Sequence, residues 1–225
     1  GCRMPADQRR TRTAVPCPKC GAEQQATAVT VVGPHDKNLD RLFCGELNKM
    51  HCRACGAEFL IQVPIVFRDD ERRFLIYCLP LDEQGAAEQV EEQMEALTDE
   101  VFTEFNSDEL PDCRLTLNRR HFIEKIAIHR HRLDDRLIEY IKYQMYQQGD
   151  IDSVRSELLY DFSSEADDVI PFIVFDRETG NAQAGAHLPK DVYDELAEMF
   201  AANEELAGEI EELFPSYNVT VDKLL

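Results

Sequence analysis

The chain has 225 residues, with 44% hydrophobic and 30% charged residues and a formal net charge of −20. That is enough apolar content for a packed core, which excludes a disordered chain. No apolar run approaches the roughly 20 residues of a membrane span, so no membrane partner is expected. The charge is unevenly spread. Residues 1–81 hold 12 Lys/Arg against 9 Asp/Glu, whereas residues 82–225 hold 12 against 35, a net of −23. A domain boundary is therefore expected at Pro80-Leu81-Asp82, with an acidic lobe beyond it that repels phosphate and favours basic partners.

In chain order, residues 1–14 are polar and basic and are expected to be a flexible start. "PCPKCGAE" (16–23) follows, and "ATAVTVVG" reads as a strand. "PHDKNLDRLFCGELN" predicts a short helix that stops at Gly45. "HCRACGAE" (51–58) repeats the first cysteine turn. It leads into "EFLIQVPIVF", the polar turn "RDDERR" and "FLIYCLP", which together predict a hairpin. From Gly85 to Phe105 the apolar residues Val90, Met94, Leu97, Val101 and Phe105 fall on one helical face.

"CRLTLN" predicts a short strand. "RRHFIEKIAIHRH" places Phe122, Ile123 and Ile126 at helical spacing. "LDDRLIEYIKYQMYQQG" places Leu133, Leu137, Ile141 and Met145 on one stripe and stops at Gly149. "VIPFIVFDRETGNAQAGAHL" predicts a hairpin turning at Thr179-Gly180-Asn181. "KDVYDELAEMFAA" and "NEELAGEIEELF" predict two acidic helices. The resulting fold class is α+β. Short antiparallel strands form an N-terminal zinc ribbon (15–81), and an acidic α-rich lobe with one hairpin follows (82–225).

Eight cysteines occur, and four fall into two Cys-x-x-Cys pairs, Cys17/Cys20 and Cys52/Cys55. No charged-then-apolar leader opens the sequence, so a reducing cytoplasm is expected, where paired cysteines point to metal or redox chemistry. Two intervening residues let both sulfurs of a tight turn point one way. Gly21 and Gly56 can take φ > 0 to close each turn. Pro18 stiffens the first turn, whereas Arg53 leaves the second less rigid. Four thiolates suit one structural Zn²⁺, with Cys17, Cys20, Cys52 and Cys55 as ligands. An iron–sulfur cluster and a thioredoxin-type redox pair are the alternatives. Cys44, Cys78 and Cys113 read as buried small hydrophobes, and His51 as a neighbour rather than a ligand.

Together "CPKCG", "GELN", "CRACG", the "FRDDERRFLIYCLP" hairpin, "FIEKI" and "LDDRLIEYIK" resemble the CpXC family of prokaryotic proteins. The likeness is strongest over residues 15–82 and extends to Lys142. It implies a metal-binding ribbon on Cys17, Cys20, Cys52 and Cys55, and no substrate. The second copy departs from the family pattern at Arg53, where proline is expected.

No phosphate-binding glycine loop, nucleophile elbow or metalloprotease motif is present, so no catalytic residues are assigned. Arg114, Arg119, Arg120, Lys125, Arg130 and Arg132 form a basic stretch that admits nucleic-acid binding as a second reading. Asp134 and Asp135 read as N-terminal acids of a helix. The leading expectation is a zinc-stabilised, non-catalytic adaptor with a protein partner.

Overall fold

The computed structural model describes residues 9–79, 92, 111–164, 166–215 and 217–225. The helix expected over 85–105, the charge break at 80–82 and Cys2 lie outside these. The chain forms two compact units, Gly1–Ile123 and Glu124–Leu225. Both mix helices and strands, so the class is α+β.

In the first unit β1 (Arg10–Pro16) and β2 (Glu23–Val29) pair antiparallel, from Arg10↔Val29 to Pro16↔Glu23. Residues 10–14 were expected in a flexible start, but ladder hydrogen bonds to β2 hold them extended. A second, shorter hairpin joins β4 (Lys49–His51) to β5 (Glu58–Leu60). A four-stranded sheet has the order β3 (Val31–Val32), β6 (Ile65–Asp69), β7 (Phe74–Cys78), β8 (Asp112–Thr116). β6 and β7 form the expected hairpin, and the two outer pairings are parallel. The run "EFLIQVPIVF" divides between β5 and β6. Leu75, Tyr77, Leu79, Cys113 and Leu115 pack one core on this sheet.

The helix α1 (Lys37–Phe43) starts where Asp36 accepts the Asn38 N–H at 3.0 Å. It ends as expected, with Gly45 at φ +76°. The helix α2 (Arg119–Arg130) has residues in both units, and its Phe122 and Ile126 are buried.

The second unit contains α3 (Asp135–Gln147) and an antiparallel sheet of order β11-β10-β9. These strands are β9 (Ser156–Tyr160), β10 (Val169–Asp176) and β11 (Ala182–Pro189). The predicted hairpin is β10–β11, to which β9 adds a third strand. Two further helices follow, α4 (Lys190–Ala202) and α5 (Glu204–Leu213), then a 3₁₀ turn at Val221–Leu224. Asn203 starts α5 by accepting the N–H groups of Glu205 and Leu206. Among the described residues no helix is long and apolar enough to cross a membrane.

The buried stripe of α3 differs from the expected one. Leu137 and Ile141 are buried, but so are Glu139 and Lys142. The Lys142 ammonium lies 2.7 Å from Glu124 and 2.9 Å from Glu139. Glu124 also accepts the Tyr160 N–H, and Glu139 the Val221 N–H. Lys125 bridges Asp135 at 2.9 Å and the Val219 carbonyl at 2.8 Å. Burial alone would push the Lys142 ammonium down. The two carboxylates overcome it and hold the group above its ordinary value.

Candidate metal centre

Each cysteine turn closes a hairpin by the same two backbone bonds. In the first, the Cys17 N–H donates to Ala22 at 2.9 Å and the Gly21 N–H to Cys17 at 2.9 Å. In the second, Cys52 donates to Ala57 and Gly56 donates to Cys52, both at 2.8 Å. Gly21 and Gly56 sit at φ +75° and +72°. A Cβ at either would touch nothing within 4 Å. The turn therefore demands glycine for its backbone dihedral and not for space.

A small core brings the turns together. Val15 and Ala28 of the first hairpin pack with Ile61, Met50 and Phe59 beside the second. Asn48 ties them more firmly. Its side chain accepts the Val29 N–H at 2.7 Å and donates to the Val29 carbonyl at 2.9 Å, while its own carbonyl accepts the Ile61 N–H. Asn48 is buried at φ +59°, a left-handed conformation that asparagine tolerates better than most residues.

The result is a cluster of the four expected sulfurs, all within 4.8 Å of one another. Cys17 and Cys55 lie 3.7 Å apart, and Cys20 and Cys52 3.6 Å. A tetrahedron with metal–sulfur bonds of about 2.3 Å has edges of about 3.8 Å. The donor set therefore fits one metal ion. The first cysteine of each pair is buried and the second exposed. Turn amides favour thiolate at the buried positions. Cys52 is brought down to about 6, chiefly by the Cys55 N–H. Cys17 is lowered, chiefly by the Cys20 N–H. For Cys20 the Ala22 N–H pulls the same way, but hydrogen bonding with the Cys52 sulfur, partial desolvation and the other two sulfurs prevail and push it up to about 11. Metal binding must therefore displace thiol protons.

The second turn has its own brace. Gln24 Nε2 donates to Cys52 Sγ at 3.3 Å, and Gln24 Oε1 accepts the Arg53 N–H at 3.0 Å. Proline at 53 would lack that N–H. The expected slackness of the second turn is thus offset from the opposite hairpin. Neither Gln24 nor Asn48 stands out in the sequence, because both act across hairpins. The one available signal is that an Asn just after the Gly45 helix stop tolerates positive φ.

His51 lies outside the cluster, exposed and 3.4 Å from Glu58. Cys78 and Cys113 are buried as expected, and burial pushes both thiols up to about 11. Cys44 is exposed instead, because it caps α1 and the chain turns away at Gly45. Of the basic stretch, Arg114 is buried over the Phe74 ring and Arg119 donates to the Leu47 carbonyl. Lys125 is buried on Asp135. Asp134 accepts the Arg136 N–H at the start of α3, as a helix cap.

Paired cysteine turns on two short hairpins, joined by a common core, define a four-cysteine ribbon that could hold a metal ion, in a protein of mixed α+β class. The family model described as "CpXC protein" matches residues 15–142, more than half of the chain, and all four cysteines fall within the match. The chain belongs to the CpXC family. No curated protein and no solved structure matches it.

Proposed function

We propose that this protein is a zinc-stabilised, non-catalytic interaction module. The observation that carries the reading is the closed set of four sulfurs, with cross-hairpin separations of 3.6 and 3.7 Å. Four thiolates complete a tetrahedral Zn²⁺ shell and leave no open position for substrate, so zinc here is structural. Its binding energy then becomes folding energy, on the order of 10 kcal/mol for small zinc sites. The first unit benefits from this, because the core joining its hairpins is small. Four free thiols also suit a reducing cytoplasm.

The partner reading rests on charge. Residues 82–225 carry −23, beyond what solubility requires, and this favours a basic protein partner. Nucleic acid has less support, since Arg114, Arg119 and Lys125 are already engaged inside the protein. Elemental analysis of the purified chain tests the metal, with about one zinc per chain expected. Iron in its place, or a native fold with two disulfides and no metal, overturns the zinc assignment. Capture of a basic partner at low salt and its release at high salt tests the interaction reading. A wild-type chain that captures none removes its support.

A further inference from the structure

The three-stranded sheet of the second unit ends on an open edge. β11 pairs with β10 on one side, and among the described residues no strand pairs with the other. The register identifies the outward groups. Asp161 donates to the Pro171 carbonyl, while Lys190 donates to the Asp168 carbonyl and Asp176 to the Asn181 carbonyl. Pro171 and Ile173 therefore turn their backbone polar groups toward β9, and Ile170, Phe172 and Val174 toward β11. Gly185 stands opposite Ile173, and His187 opposite Pro171. Both consequently direct N–H and C=O outward, about 7 Å apart along the strand.

This edge lacks the usual guards against strand addition. No Lys or Arg occurs within β11, and its proline is the last residue. The irregularity of register lies at the Ala182 end and leaves Ala184–Leu188 regular. Residues 182–185 and His187 are exposed. Alongside runs a groove of about 650 Å³, where the short side chains of Ala184 and Ala186 leave room and Met145 and Ile151 add apolar lining. Its charged lining residues are the exposed acids Asp150 and Asp152. α4, which packs on β10 and β11, carries the exposed acids Asp191, Glu195 and Glu198.

We infer that β11 accepts an extended segment of a partner protein as a fourth strand, with apolar and basic residues alternating along it. Backbone groups of Gly185 and His187 bind its main chain. Apolar side chains on one face of the added strand enter the groove over Ala184 and Ala186, and the basic ones on its other face lie in the negative field of Asp150, Asp152 and the acids of α4. A second copy of this chain is the poorer occupant, because it would bring −20 against −20. The inference rests on the interaction reading and names where the partner sits.

The test uses the full chain and a fluorescein-labelled peptide of alternating Val and Lys, followed by anisotropy. Gly185→Pro deletes an outward N–H and leaves the β10 ladder intact. Ala186→Trp fills the groove and carries the test if the proline variant fails to fold. The expected result is binding of the Val/Lys peptide but not of its Val/Glu counterpart, weakened about tenfold by either variant. Equal binding by variants and wild type, equal binding of the Val/Glu peptide, or no binding overturns the site. So does a dimer in sedimentation that Gly185→Pro dissolves, since the occupant is then a second copy. A basic host partner captured equally by wild type and Gly185→Pro overturns this edge and leaves the interaction reading standing.

Discussion

Replacing Lys142 by methionine removes its charge and shortens the side chain by one heavy atom. Lys142 is 2% exposed, and its ammonium contacts two carboxylates that are themselves buried, at 2.7 and 2.9 Å. At an effective dielectric of about 20, each contact is worth about 6 kcal/mol before desolvation. Burying the three charged groups offsets much of this, so the intact triad adds little net stability. Removing only the cation is different, because two buried carboxylates then face each other. Each keeps one amide donor, Tyr160 for Glu124 and Val221 for Glu139. The expected cost of Lys142→Met is about 3–5 kcal/mol. For a unit of this size that is a Tm lower by about 12 °C or more. Urea and thermal unfolding measure it, and faster hydrogen exchange at the Tyr160 and Val221 amides localises it. Neutralising the triad with Glu124→Gln and Glu139→Gln alongside Lys142→Met should recover part of the loss. The folded-state value of Lys142 is raised, so its stabilisation is fully present below the unfolded value of about 10.4 and lost only as pH rises through the folded one. The wild-type contribution is therefore flat between about pH 6 and 9. A Lys142→Met chain within about 1 kcal/mol of wild type would refute the argument.

Gln24→Ala should lower metal affinity about tenfold in chelator competition, since the Cys52 sulfur and the Arg53 amide lose their shared brace. Asn48→Ala should cost about 2–3 kcal/mol in urea unfolding of the first unit, from two buried bonds and a left-handed backbone; Asn48→Gly should regain only the backbone share. Serine at Cys44, Cys78 or Cys113 should leave metal content unchanged, whereas serine at Cys52 should abolish stoichiometric binding. At pH 8 the folded chain should alkylate at Cys44 well before Cys78 or Cys113, which burial pushes up to about 11. These two thiols stabilise the fold below their unfolded value of about 8.5, and that contribution fades as pH climbs toward 11.

Local chemistry was legible where one short stretch decides the outcome. The two Cys-x-x-Cys-Gly turns, the Gly45 stop, the β6–β7 and β10–β11 hairpins and the Asp134 cap all follow from residues a few positions apart. What escaped depends on partners far along the chain. Cys44 reads as apolar filling until its place at a helix cap is known. Lys142 looks like a surface lysine beside a stripe, yet its position next to Ile141 and four residues from Ile138 puts it on the buried face. Glu139, three residues earlier on the same helix, and Glu124, 18 residues earlier, together make that placement tolerable. The open side of β11 was equally hidden, because sheet order is set by β9 and not by the hairpin itself.

The buried charges of α2 and α3 also tie the end of the chain to the rest of the second unit. Lys125 reaches the Val219 carbonyl across 94 positions, and Glu139 takes the Val221 amide across 82. Closing loops of this length costs chain entropy before the contacts repay it. Until residues 219–221 arrive, Glu139 lacks its amide donor and Lys125 lacks one of its two acceptors, so both sites stay hydrated. Burying these groups and docking the last turn of the chain are therefore coupled, and displacing residues 219–221 would leave Glu139 and Lys125 each short of a hydrogen-bond partner.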